Sequence, residues 1–405
     1  MRITILSLLI AALPAVAADW PQFRGPTGDG HYTGTKLPTE IGTDKNVVWK
    51  TLIPGKGWSS PIVWKDKIYL TSSLKDTKGG LSLHALAIDA TSGKIEWDKQ
   101  VFSLEAGKIP KSHGKNSYAS ATATTDGERL YVHFGPMGTT ALDLKGEILW
   151  TRTGLYSESQ HGNGGSPILV DGRLIFSCDA VDKQFVTALN TTDGKTAWET
   201  KRSVVGAPAF SFSTPTLVEM GGSKQIISEG SDFVAGYDPK SGKELWNFKF
   251  KGYSIIPKPV VGNGMVYIST GYNAATVRAV KFGAKTNEAW SLTKNAPHTP
   301  SMILNGNDLF MVSDKAIMSC VDATTGKVVW EERVKGTDHS SSPILADGKI
   351  YHTSEDGKGT IVDATRKFNV VSEFDLKEKT FASFAGVDGA LYVRTESQLY
   401  RFGKK

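Results

Sequence analysis

The chain has 405 residues, 40% of them hydrophobic and 22% charged, a composition that excludes bulk disorder. Its net charge of +6 is spread along the sequence with no long basic run, which excludes a nucleic-acid footprint and leaves a solvated surface of mixed sign. The 42 glycines and the β-branched and aromatic strings point to many short strands joined by tight turns.

Residues 1–18 read as a signal peptide. Arg2 precedes an apolar stretch, Ile3 to Leu13, that is too short to span a bilayer, and Ala15-Val16-Ala17 and Val16-Ala17-Ala18 both fit a small-residue cleavage rule, so the mature chain is expected to start at Ala18 or Asp19. The mature protein is therefore expected in the periplasm or outside the cell. No cysteine lies near the cleavage site to carry a lipid, and no later stretch is apolar enough for a membrane helix. Residues 19–45 are too long for a simple connection. They are expected to lie across the fold as a capping segment anchored by Trp20 and Phe23.

From residue 46 to 405 the sequence repeats. Trp49, Trp97, Trp150, Trp198, Trp246, Trp290 and Trp330 each fall near the end of an alternating strand, and Phe374 occupies the same slot once more. The spacing of roughly 40 to 50 residues is that of four-stranded propeller blades. Hairpin signals form a second series: Lys65-Asp66, Asp126-Gly127, Asp171-Gly172, Gly221-Gly222, Asn263-Gly264, Asn305-Gly306, Asp347-Gly348 and Asp388-Gly389. Asp-Gly and Asn-Gly supply the positive φ that two-residue hairpins need.

Eight hairpins but seven following Trp or Phe strands leave the last unit one strand short and Trp49 without a unit. The strand Asn46 to Thr51 is therefore expected to complete the last unit beside Gln398 to Arg401. The predicted fold is an all-β, eight-bladed β-propeller with four-stranded blades, closed by an N-terminal strand, which leaves no open ring edge. The two cysteines, Cys178 and Cys320, then fall three blades apart and are expected as buried free thiols.

The turn before each tryptophan follows Ala87-x-Asp89-x-x-x-Gly93-x-x-x-Trp97, with variants at Ala188/Asn190/Gly194/Trp198, Gly236/Asp238/Gly242/Trp246 and Cys320/Asp322/Gly326/Trp330. Asp caps the turn, Gly takes positive φ, and the small residue is expected to make room for an indole from the neighbouring blade. The unit around Lys281 lacks the Asp and has one extra residue. This pattern resembles the tryptophan-docking motif of quinoprotein-type propellers, the PQQ-repeat family. Asp19-Trp20-Pro21-Gln22-Phe23-Arg24-Gly25-Pro26, with Gly28-Asp29-Gly30, resembles the opening of an exported bacterial subgroup of that family.

In a propeller the first strand of each blade lines the central channel, and the loop entering it opens around one mouth. That slot holds Trp58, His113, Lys115, Asn116, Tyr118, His161, Asn163, Tyr253, His298 and His339. Imidazoles, an ammonium and aromatic faces converging on one concavity make a candidate ligand site. Metal ligation is not expected, since no short His-x-His spacing is present. Asp76, Glu355 and Asp356 are expected to be solvated loop residues, and no acidic cluster is expected at the mouth.

Two functions follow from these residues and from the resemblance. The first is a non-catalytic binding or scaffold propeller, of which the BamB type is one analogue, holding a small ligand, glycan or envelope protein as a monomer. The alternative is a PQQ-dependent or related oxidoreductase. Such enzymes typically carry a vicinal cysteine pair and an acidic calcium site. This chain has no adjacent cysteines and no Cys-x-x-Cys-His haem motif, so no catalytic residue and no cofactor is assigned.

Overall fold

A computed structural model describes residues 19–34, 36–180, 182–220, 222–283 and 285–404. The leader expected over residues 1–18 lies outside the described residues. Strand pairing builds eight antiparallel blades of four strands, with one short parallel strand added to the seventh. The inner strands are Ile62–Trp64, Thr124–Thr125, Ile168–Val170, Thr216–Met220, Val260–Gly262, Ile303–Asn305, Ile344–Ala346 and Ala385–Val387, in blades 1 to 8.

The ring closes as the strand count requires. Val47–Leu52 runs antiparallel to Gln398–Phe402, pairing Thr51 with Leu399 and Trp49 with Arg401, and forms the outer strand of blade 8. Hairpins with positive φ at both residues turn the inner strands outward, as at Asp347 (φ 48) and Gly348 (φ 66).

Six of the eight blades are pinned to the next by an indole hydrogen bond. The Nε1–H of Trp97 donates to Leu144 O (3.2 Å), that of Trp150 to Thr191 O (2.9 Å), Trp198 to Pro239 O (3.0 Å), Trp290 to Ala323 O (2.8 Å) and Trp330 to Thr365 O (3.0 Å). Trp49 of blade 8 donates to Ala90 O of blade 1 (3.1 Å) and docks the closing strand onto the first blade. Blades 4 and 7 are the exceptions: the Trp246 N–H bonds Gln225 of its own blade (2.8 Å) and its ring packs on Phe282 at 5.2 Å, while Phe374 of blade 7 has no N–H to donate.

The geometry corrects one reading. The small residue of the motif faces the indole of its own blade, Ala87 opposite Trp97 and Ala188 opposite Trp198. The glycine receives the neighbour's indole: a Cβ at Gly194 would lie 2.5 Å from the Trp150 ring.

A second ring of contacts lines the channel. In seven blades the residue at the entrance to the inner strand is Ser or Thr, and its hydroxyl accepts the backbone N–H of the equivalent residue next door. Ser60 donates to Thr122 (3.0 Å), Thr122 to Ser166 (2.9 Å) and Ser166 to Thr214 (2.9 Å). Lys258 donates to Ser301 (3.0 Å), Ser301 to Ser342 (3.0 Å), Ser342 to Ser383 (2.9 Å) and Ser383 back to Ser60 (3.0 Å). In blade 5 the slot holds Lys258, which has no acceptor to offer Thr214, and the belt breaks there.

Residues after Asp19 run along the inside of this ring. Trp20, buried, exchanges two 2.8 Å backbone hydrogen bonds with Val63, and Pro21 O accepts from Thr125 N–H (3.0 Å). Phe23 is only half-buried, and Arg24, not Phe23, is the second anchor. Its guanidinium, 1% exposed, donates to Met302 O (2.6 Å) and Pro343 O (3.3 Å) in blades 6 and 7. His31–Tyr32 then pairs in parallel with Leu345–Ala346. Tyr32, Leu37 and Ile41 join one apolar cluster with the blade 8 strands.

Candidate functional site

The polypeptide enters each inner strand from one face of the ring. The second strand of each blade returns to that face, so the loops between second and third strands open there too. Both sets of loops therefore build the mouth.

Lys115, in the loop before blade 2, extends its ammonium to Glu355 of blade 7, 2.9 Å away, and so spans blades 1 and 8. Glu355 also accepts from the Ser340 hydroxyl (2.6 Å). Beside this bridge lies a cleft of about 320 Å³ floored by Trp58 and Phe381, whose rings are 4.6 Å apart, with the Lys56 ammonium 5.5 Å over the indole. Asp338, Asp356, Glu396 and Lys379 complete its rim. An acidic group thus does stand at the mouth, against the expectation that Glu355 and Asp356 are merely solvated. The loop-entry rule missed it because these carboxylates come from the other set of loops. A hydrogen bond from Lys315 (2.6 Å) holds the Asp338 carboxyl below its ordinary range.

On the far side of the bridge the side chains are aromatic. The rings of His113 and His161 are 5.5 Å apart, His161 and Phe210 5.3 Å, Phe210 and Tyr253 5.6 Å, Tyr253 and Tyr272 6.3 Å, and Tyr272 and His298 6.4 Å. This arc crosses blades 2 to 6, mostly edge to face, as aromatic quadrupoles prefer. Burial, with the nearby His113, lowers the pKa of His161 and favours its neutral form. Tyr272 is 60% exposed and was not singled out by the loop rule, because it follows a second strand.

Some predicted residues serve the loops. Asn116 Nδ2 donates to His161 O (2.9 Å) and Asn163 O (3.3 Å), tying the two entry loops together. Asn163 Nδ2 donates to Gly165 O (3.2 Å), and the Tyr118 hydroxyl to Pro110 O (3.0 Å). Asp314 accepts the His298 N–H (2.7 Å), which leaves the imidazole at the rim. His339 is a correction: it is fully buried with its ring 5.3 Å from that of His352, and burial pushes both imidazoles toward the neutral form. It packs the wall and cannot face a ligand at the mouth. Among the described residues no group of three or more His, Cys, Asp or Glu is arranged to hold a metal ion.

The family model described as outer membrane protein assembly factor BamB matches residues 32–164, 87–332 and 283–370. The chain belongs to this PQQ-repeat family. It is similar to BamB from Yersinia pestis, 24% identical over 213 residues, which covers 47% of this chain and 52% of that one. The alignments span about half to two thirds of the length of the curated relatives. The crystal structure of BamB from Moraxella catarrhalis superposes with a TM-score of 0.64 at 12% identity, covering 89% of this chain and 97% of that one. A europium-containing methanol dehydrogenase superposes with 0.69 at 11% identity, covering 96% and 98%. These likenesses establish the PQQ-repeat propeller fold. Among the described residues no helix is long and apolar enough to cross a membrane.

Proposed function

We propose that this PQQ-repeat protein is an exported, non-catalytic binding propeller whose mouth face holds a protein of the cell envelope. The observation that carries this reading is the Lys115–Glu355 bridge spanning the mouth beside the cleft. It joins loops of two blades into one rim without sealing it. Lys115 is 53% exposed while Glu355 is 15% exposed and is also held by Ser340. The lysine is therefore the mobile half of the bridge, and a partner's cation can take its place on the fixed carboxylate. The two halves of the face offer complementary chemistry: paired charges over blades 7, 8 and 1, and aromatic rings over blades 2 to 6. Polypeptides match such a mixture, since aromatic anchors inside a polar rim characterise protein interfaces. The family's description as an assembly factor agrees with a protein partner.

The test pairs stability with binding on the same variants. Lys115→Ala and His161→Ala should each change stability by no more than about 0.5 kcal/mol. Each should weaken capture of the envelope partner, recovered by crosslinking from the native compartment, by about 1 kcal/mol or more. Unchanged capture with both variants would remove the mouth from consideration. Large losses of stability with normal capture would reduce these residues to loop supports.

A further inference from the structure

We propose a second site, below the mouth and independent of it: the channel binds a small inorganic oxyanion between the Lys258 ammonium, the Arg24 guanidinium and the hydroxyls of the belt.

The argument begins with charge. Lys258 is 2% exposed and Arg24 1% exposed, and neither forms an ion pair among the described residues. One carboxylate, Asp29, acts on both. Its Oδ1 accepts from the Thr27 hydroxyl at 2.6 Å and the His31 N–H at 3.1 Å. The Arg24 terminal nitrogens are spent on carbonyl oxygens, which orient the group without neutralising it, and its Nε has no hydrogen-bond partner among the described residues. Two basic side chains thus share one carboxylate in the interior, which leaves one charge uncompensated whenever both are protonated, and such a charge is costly there.

The belt supplies the rest. Ser60, Thr122, Ser166, Thr214 and Ser383 each spend a lone pair on a neighbour's N–H, which leaves their hydroxyl protons to be donated. The groups left free among the described residues are donors: the hydroxyl protons, the Lys258 ammonium and the Arg24 Nε–H. A cation would find no suitable ligand set here, and an anion finds one. Lys258 is the decisive residue because seven blades carry Ser or Thr in its slot. A serine would extend the belt; lysine breaks it and adds a charge, with its Nζ against the backbone of Gly28. The ligand must be small, since the belt residues are only 2–5% exposed and the Asp19–Tyr32 segment runs through the same space.

Calorimetric titration of the mature protein with inorganic phosphate, in chloride buffers of constant ionic strength, reads binding directly. Saturable binding is expected, and Lys258→Ser should weaken it at least tenfold while the variant stays folded, because serine is the residue of the other blades. Lys258→Gln provides a second neutral variant should the serine protein fail to fold. Lys115→Ala should bind phosphate normally, which separates this site from the mouth. No saturable binding by the native protein, equal binding by a folded Lys258 variant, or loss of binding in Lys115→Ala would each overturn the proposal. Binding of glycerol phosphate as tight as that of phosphate would also overturn it, because an ester fits an open surface and not the belt.

Discussion

Replacing Gly194 by alanine isolates the contact that pins one blade to the next. At Gly194 φ is +68° and a Cβ would lie 2.5 Å from the Trp150 ring, closer than side-chain carbons come. At Gly348 φ is +66°, but a Cβ would meet nothing within 4 Å. Both substitutions carry the same backbone penalty, about 1–2 kcal/mol for an L-residue held in the left-handed region. Gly194→Ala must in addition displace the indole. That forfeits the 2.9 Å hydrogen bond from Trp150 to Thr191 O, worth about 1 kcal/mol, and part of the burial of a ring that is 9% exposed. Gly348→Ala should therefore cost about 1–2 kcal/mol and Gly194→Ala about 3–4 kcal/mol. Urea denaturation of the two variants, read as shifts in midpoint at constant slope, gives the difference directly. Gly194→Asn adds a check, since asparagine tolerates the dihedral but keeps the clash. If Gly194→Ala and Gly348→Ala agree within about 0.5 kcal/mol, a common backbone penalty explains both and the docking argument fails.

Three further outcomes are expected. Thiol counting on unfolded, unreduced protein should find two free thiols, Cys178 and Cys320, both buried; in the folded state Cys320 should resist alkylation at neutral pH, because burial pushes its thiol up to about 12. Arg202→Met should destabilise by about 3–5 kcal/mol in equilibrium unfolding, since it strands Asp179, which now accepts 2.8 Å and 2.6 Å bonds from the buried guanidinium. Burial lowers Lys258 from 10.5 to about 7. In chloride buffer the unfolded chain then holds a proton that the folded protein refuses, so stability should climb with pH from about 7 to about 10.5 and be lowest below that window; Lys258→Ser should flatten this dependence, and an unchanged slope would show the lysine to be solvated.

Much of the fold was legible because each of its signals is local. An Asp-Gly hairpin or a tryptophan ten residues beyond a small one needs no distant partner to be recognised, and counting them exposed the missing strand that Val47–Leu52 supplies. What escaped was set by residues far apart in sequence. Arg24 reads as a surface residue until Met302 and Pro343 bring carbonyls to it, and Phe23 was preferred on hydrophobicity alone. His339 shares the entry slot with His161 and His298, but its side chain turns into the wall against His352. Glu355 reads as a solvated loop residue and Tyr272 lies outside the entry loops, although the return of every second strand to the same face puts both at the mouth. Lys258 was foreseeable too. Lys258-Pro259 occupies the slot of Ser60-Pro61, Ser166-Pro167, Thr214-Pro215 and Ser342-Pro343, and a lysine in a column of hydroxyls is an anomaly visible without coordinates.

A ring fastened by its own two ends imposes an order on assembly. Of the strands that build the blades, Val47–Leu52 comes first in the sequence, yet its partner, Gln398–Phe402, comes last. Until the whole chain is present the early strand has no mate, blade 8 does not exist, and the inner strand of blade 1 lacks the neighbour it touches in the finished circle. Contacts of such long sequence separation form late, because loop-closure entropy must be met before they contribute. The nascent protein is thus an open arc with two sticky edges, exposed to mispairing with other copies. The same fastening protects the finished molecule: no blade can peel from an end, since there is no end to start from, and opening requires the Trp49 dock and five strand pairings to give way together.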